Sequence, residues 1–74
     1  MHGTYDPAAD AAYFYFVDRI EGGAATRSVP VAEVAHQAIV VLDFDLHDCL
    51  LGIEIVGAAG MLRPETIASL QQHS

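Results

Sequence analysis

Residues 38–56 hold two short apolar runs, Ala-Ile-Val-Val-Leu-Asp-Phe-Asp and Cys-Leu-Leu-Gly-Ile-Glu-Ile-Val, with only Leu46-His47-Asp48 between them. Runs of this length, rich in β-branched residues and parted by a polar turn, specify an antiparallel hairpin. Side chains alternate across a strand. Val40, Leu42 and Phe44 therefore share one face of the first strand, and Leu51, Ile53 and Ile55 one face of the second. Those two rows form the expected core face. The alternate row, Ile39, Val41, Asp43 and Asp45 with Leu50, Gly52, Glu54 and Val56, is mixed. A solvated face alternates more strictly, so part of this second face is expected to be covered.

Around that hairpin, 74 residues leave room for one domain. A chain this short buries only roughly 60% of the surface its unfolded form exposes. Its hydrophobic content of 53% is more than one small sheet hides, so a homodimer is expected.

Upstream, Thr4 and Tyr5 suit a short opening strand ended by Asp6-Pro7, since proline cannot donate to a ladder. Ala11 to Val17 is a strong strand through Tyr13, Phe14, Tyr15 and Phe16. Ala12, Phe14 and Phe16 are assigned to the core, with Phe14, Leu42 and Ile53 sharing it. Tyr13, Tyr15 and Val17 fall on the other side. Aromatic residues on both faces mark a central strand. Gly22-Gly23 signals a hairpin turn, and Ala25 to Val29 a weaker returning strand that Pro30 interrupts. Residues 31–37 fit either a loop or a helical turn. Beyond Gly57-Ala58-Ala59-Gly60 the β pattern breaks. Pro64 at a first helical position, Glu65 at the positive end of the helix dipole, and the Ile67/Leu70 stripe predict a helix from Pro64 to about Gln72. Too short to stand alone, it must dock on the sheet or on another subunit. The fold class is α+β: a small antiparallel meander of three to four strands followed by a C-terminal helix.

Charge excludes several functions. Ten acids face only Arg19, Arg27 and Arg63, with no lysine, for a net charge of −7. Nucleic-acid backbones and anionic membranes both require clustered cations. Tyr13 and Tyr15 lack the neighbouring basic residues of a base-stacking platform. An acidic domain favours a basic protein as partner, while the plainer reading is that the charge keeps the protein in solution. The single cysteine, Cys49, rules out an internal disulfide and fits a reducing cytoplasm. No apolar run reaches the length of a membrane span, and His2-Gly3-Thr4 does not open a signal peptide.

Tyr5-Asp6-Pro7-Ala8-Ala9-Asp10-Ala11-Ala12-Tyr13 resembles the opening "YDxxADxxY" of the small prokaryotic family catalogued as domain of unknown function 2283. Val41-Leu42-Asp43-Phe44-Asp45 and Leu50-Leu51-Gly52-Ile53-Glu54-Ile55 resemble its "LDxD…LVGIEIL" hairpin. The resemblance spans most of residues 5–62. Asp48 stands where the family has a turn glycine, and aspartate can take the left-handed conformation needed there. Cys49 replaces a polar residue, and residues 28–37 form a longer connection. The resemblance implies the fold and no catalytic residue. Relatives beside small toxin-like genes imply a toxin-antitoxin-like pairing as one specific role.

Candidate chemistry is sparse. Asp43, Asp45, His47, Cys49 and Glu54 fall at calcium-loop spacing, but Asp48 occupies the obligatory glycine position and strands replace the flanking helices. His47 and Cys49 could contribute soft ligands to zinc, which needs further ligands; His2, His36 and His73 have no paired spacing. A Cys-His nucleophile needs a positioned base and a third group to orient it, which one short turn does not offer. Asp43 and Glu54, on opposing strands and one face, could pair as carboxylates. Asp43, Asp45, His47 and Glu54 are thus the candidates for an acidic or turn cluster. No catalytic residue, metal or cofactor is assigned. The expected function is a non-catalytic protein-binding or structural module, with a basic protein as partner. The alternative is a small-ligand-binding protein or enzyme with its pocket at a subunit interface.

Overall fold

A computed structural model describes residues 2–32 and 35–72. The strands are β1 (His2–Asp6), β2 (Ala11–Tyr15), β3 (Arg27–Pro30), β4 (Ile39–Phe44), β5 (Leu50–Val56) and β6 (Gln71–Gln72). Two short helices, α1 (Ala58–Met61) and α2 (Pro64–Ser69), precede β6. All six strands join one sheet in the order β3-β4-β5-β2-β1-β6. The first five pair antiparallel, and β6 lies parallel to β1 at the edge. The α+β class and the antiparallel sheet agree with the expectation, with five antiparallel strands in place of three to four and the short parallel β6 in addition.

The central hairpin has the expected faces from Ile39 to Asp43, after which a register shift sets Phe44 opposite Leu50. Val40 lies opposite Ile55 and Leu42 opposite Ile53 across β4 and β5. On the other side of β5, Ala12 faces Ile55 and Phe14 faces Ile53. Ala12, Ile55 and Ala58 form the buried centre, with Tyr5, Phe14, Val40, Met61, Leu62 and Leu70 packed against it. Strand β2 is central, between β5 and β1.

The strand order departs from a meander. Strand β3 pairs with β4 and not with β2, so Gly22-Gly23 turns the chain inside a longer crossover instead of closing a hairpin. That crossover begins early. Strand β2 ends at Tyr15, and Phe16 and Val17 are 46% and 37% exposed, so Phe16 is not a core residue. Pro30 sits within β3, where its missing N–H costs nothing because β3 is an edge.

The carboxyl-terminal helix is also shorter than expected, ending at Ser69. Leu70, immediately after α2, packs against the core of its own chain. A 3-10 turn at Ala35–Gln37 resolves part of the ambiguous 31–37 connection; residues 33 and 34 lie outside the described residues.

Candidate functional site

The second face of the sheet is built around Tyr13. Glycine at position 52 leaves the surface of β5 bare, and the Tyr13 side chain crosses it from β2. Its hydroxyl donates to Asp43 Oδ2 on β4 at 2.6 Å. Ser28 on β3 donates to Asp43 Oδ1, also at 2.6 Å. One carboxylate therefore ties β2, β3 and β4 together across an intervening strand. Burial, followed by the Asp43 hydrogen bond, pushes the Tyr13 phenol far above its ordinary ionisation range. Tyr13 is a neutral donor at any physiological pH, and this face is partly covered by the ring itself.

Asp43, one of the two candidate carboxylates, accepts from two hydroxyls. It stands opposite Gly52, whereas Glu54 stands opposite Val41 and Tyr13, one step along the same face. The Asp43 oxygens are engaged by the two hydroxyls, which makes Asp43 a structural acceptor.

Asp45 organises the hairpin turn. Its Oδ1 accepts the His47 and Cys49 backbone N–H groups at 2.8 and 3.0 Å, and the Asp48 N–H reaches its carbonyl at 3.0 Å. Asp48 is left-handed at φ 61°, the conformation a three-residue hairpin loop requires at that position. The Cys49 N–H, foremost, holds the Asp45 carboxyl below its ordinary range. His47 and Cys49 are both exposed. Among the described residues no three His, Cys, Asp or Glu side chains are grouped to hold a metal ion. The His36 side chain and all of His73 lie outside the described residues.

The opening motif is a second structural knot. Asp6 Oδ1 accepts the Ala8 N–H at 3.0 Å within the turn after β1. Asp10, left-handed at φ 50°, accepts the Tyr5 hydroxyl at 2.8 Å and the Ala59 N–H at 3.0 Å on one carboxylate oxygen. Its carbonyl accepts the N–H groups of Gly57 and Ala58 at 2.9 and 3.0 Å. Asp10 thus fastens the first turn of α1 to the β1–β2 turn. The hydrogen bond to Asp10 raises the Tyr5 phenol as well.

Beside Tyr13 lies a feature that sequence reasoning missed, an open groove of about 420 Å³. His2, Thr4, Tyr13 and Tyr15 line it from the sheet, and Asp18, Arg19 and Ile20 from the crossover after β2. His2 and Tyr15, cross-strand partners, stack with ring centroids 4.5 Å apart and planes 12° apart. Tyr13 and Tyr15 lie 4.7 Å apart, tilted by 54°. The Tyr13/Tyr15 alternation gave the sheet half of this groove. The crossover half depends on where residues 16–26 travel, which no local signal encodes.

The second face of the sheet thus presents the Tyr13 phenol hydrogen-bonded to Asp43, beside a groove walled by aromatic rings and the Asp18 carboxylate. Fold and site together define a small α+β sheet module whose signature side chains maintain the sheet. The chain belongs to the family described as "Protein of unknown function (DUF2283)", whose model matches residues 3–58. Tyr5, Asp10, Tyr13 and Asp43 all fall inside the matched region. No curated protein and no solved structure matches the chain.

Proposed function

We propose that the protein is a non-catalytic protein-binding module that engages a basic protein, in a toxin-antitoxin-like pair as its most specific form. The observation that carries this is the uncompensated acidic charge. Glu21 and Asp48 are the only carboxylates in ion pairs among the described residues, with Arg19 and Arg27 at 3.1 Å each. Among the described residues, most of the acids behind the net charge of −7 therefore make no ion pair. Such a surface attracts a cationic partner over a Debye length and accelerates encounter.

Self-association accompanies this reading, through a different surface from the Ile67/Leu70 stripe. Leu46, 75% exposed, lies in the turn between β4 and β5, and Phe16, 46% exposed, leaves β2 at that same end of the sheet, where its N–H donates to the Leu51 carbonyl. A homodimer that buries them covers apolar surface at no cost to the core. The rival reading, a ligand or substrate held between subunits, finds its one support in the groove beside Tyr13, which a second copy would have to close.

The test is capture from an extract of the native host on the immobilised protein, eluted by a salt step. The reading expects a basic protein in the salt eluate. A retained partner that is itself acidic, or that salt does not release, removes it.

A further inference from the structure

We infer that the groove beside Tyr15 receives an arginine side chain of the basic partner, an assignment that rests on the acidic-module reading above. Three observations select this occupant. The sheet wall is aromatic, with His2, Tyr13 and Tyr15 as adjacent rings. Aromatic rings attract cations, and a planar guanidinium can also stack on them. Asp18, which is exposed, supplies a carboxylate from the opposite wall, and carboxylate and guanidinium match as a two-pronged pair. The Arg19 guanidinium in that wall is already engaged: its Nε lies 3.1 Å from Glu21 Oε1 and its Nη2 donates to Glu21 Oε2 at 3.1 Å. An anion entering the groove would meet Asp18 and the field of a chain of net charge −7. A cation meets neither obstacle. The same chain already places a guanidinium on an aromatic ring elsewhere, with Arg27 Cζ 4.9 Å from the Phe44 ring centroid. Arginine is favoured over lysine because the lysine ammonium is more strongly hydrated and cannot stack.

The experiment is a ¹⁵N-resolved NMR titration of the intact chain at low salt with three probes: a short arginine-rich peptide, its lysine counterpart of equal length, and inorganic phosphate. The proposal expects the arginine peptide to bind several-fold tighter than the lysine peptide, with shifts concentrated at His2, Thr4, Tyr15 and Asp18. Tyr15→Leu should weaken it about 2- to 5-fold, the range of an exposed cation–π contact. Asp18→Asn, an exposed change that leaves the sheet intact, should weaken it comparably and keeps the test decisive if Tyr15→Leu fails to fold. Arginine and lysine peptides binding equally, with both variants like the parent, overturn the groove and leave the acidic-surface reading standing. Absence of binding by either peptide overturns both. Phosphate binding with shifts at the groove overturns the groove assignment by reversing its charge.

Discussion

Replacing Gly52 by alanine places a methyl group where the Tyr13 side chain crosses β5. The new Cβ would lie 2.6 Å from the Tyr13 hydroxyl and 2.8 Å from the Phe14 carbonyl oxygen, both inside the closest approach of real Cβ atoms. The carbonyl belongs to the backbone of the neighbouring strand, so either β2 and β5 spread or the sheet twists locally. Overpacking of this kind costs about 1–3 kcal/mol. The tyrosine ring must also leave, which breaks the 2.6 Å bond to Asp43. A hydrogen bond to a charged acceptor is worth about 1.5–3 kcal/mol when buried, and about half that at this partly exposed site. Restricting the unfolded chain by removing a glycine returns only about 0.5–1 kcal/mol. The net loss is roughly 2–3 kcal/mol, a fall in melting temperature of roughly 10–20 °C for a domain of this size. Thermal denaturation followed by circular dichroism measures it. Tyr13→Phe, which loses the hydrogen bond without the clash, should fall by about a third to a half as much. If Gly52→Ala melts within about 2 °C of the parent, the crossing of Tyr13 over β5 is wrong.

Three further outcomes follow from the same geometry. Asp10→Ala removes the acceptor of both the Tyr5 hydroxyl and the Ala59 N–H and places alanine at φ 50°, so it should cost about 2–3 kcal/mol by urea denaturation, with Asp10→Asn milder. The Tyr13 phenol ionises at higher pH in the folded than in the unfolded chain, so its stabilisation is complete below its ordinary value of 10.0 and is lost as pH rises beyond it; Tyr13→Phe should show a shallower alkaline decline in urea midpoint than the parent. Light scattering should give twice 7.9 kDa, and Leu46→Asp should shift it toward the monomer while leaving the melting curve of the monomer intact, whereas a parent mass of 7.9 kDa at micromolar concentration removes the dimer.

Much of the sheet was legible because its signals are local. The alternation of Val40, Leu42, Ile53 and Ile55 assigned the core face, the paired aromatics placed β2 at the centre, and Asp48 was identified as a residue able to replace a turn glycine. The strand order was not legible. Gly22-Gly23 carries a turn signal, but whether the following strand returns to β2 or crosses to β4 is decided by long-range pairing and not by the turn. Phe16 has the propensity of a strand residue and is exposed because the chain leaves the sheet at Tyr15. The Tyr13–Asp43 bond joins residues 30 apart and leaves no trace in periodicity. A glycine inside a strand was its one available sign, since such a glycine often marks a close approach by another group. Asp43 and Glu54 share a face as expected, yet a shared face did not determine which oxygen met which donor.

The claim that this module binds through acidic charge is tested most directly by titration calorimetry of the chain with its salt-eluted partner across ionic strength. The account predicts that affinity falls at least about tenfold between roughly 0.03 and 0.3 M salt, as screening shortens the reach of the carboxylates. An affinity that stays within about twofold over that range would contradict it and assign the binding to apolar surface.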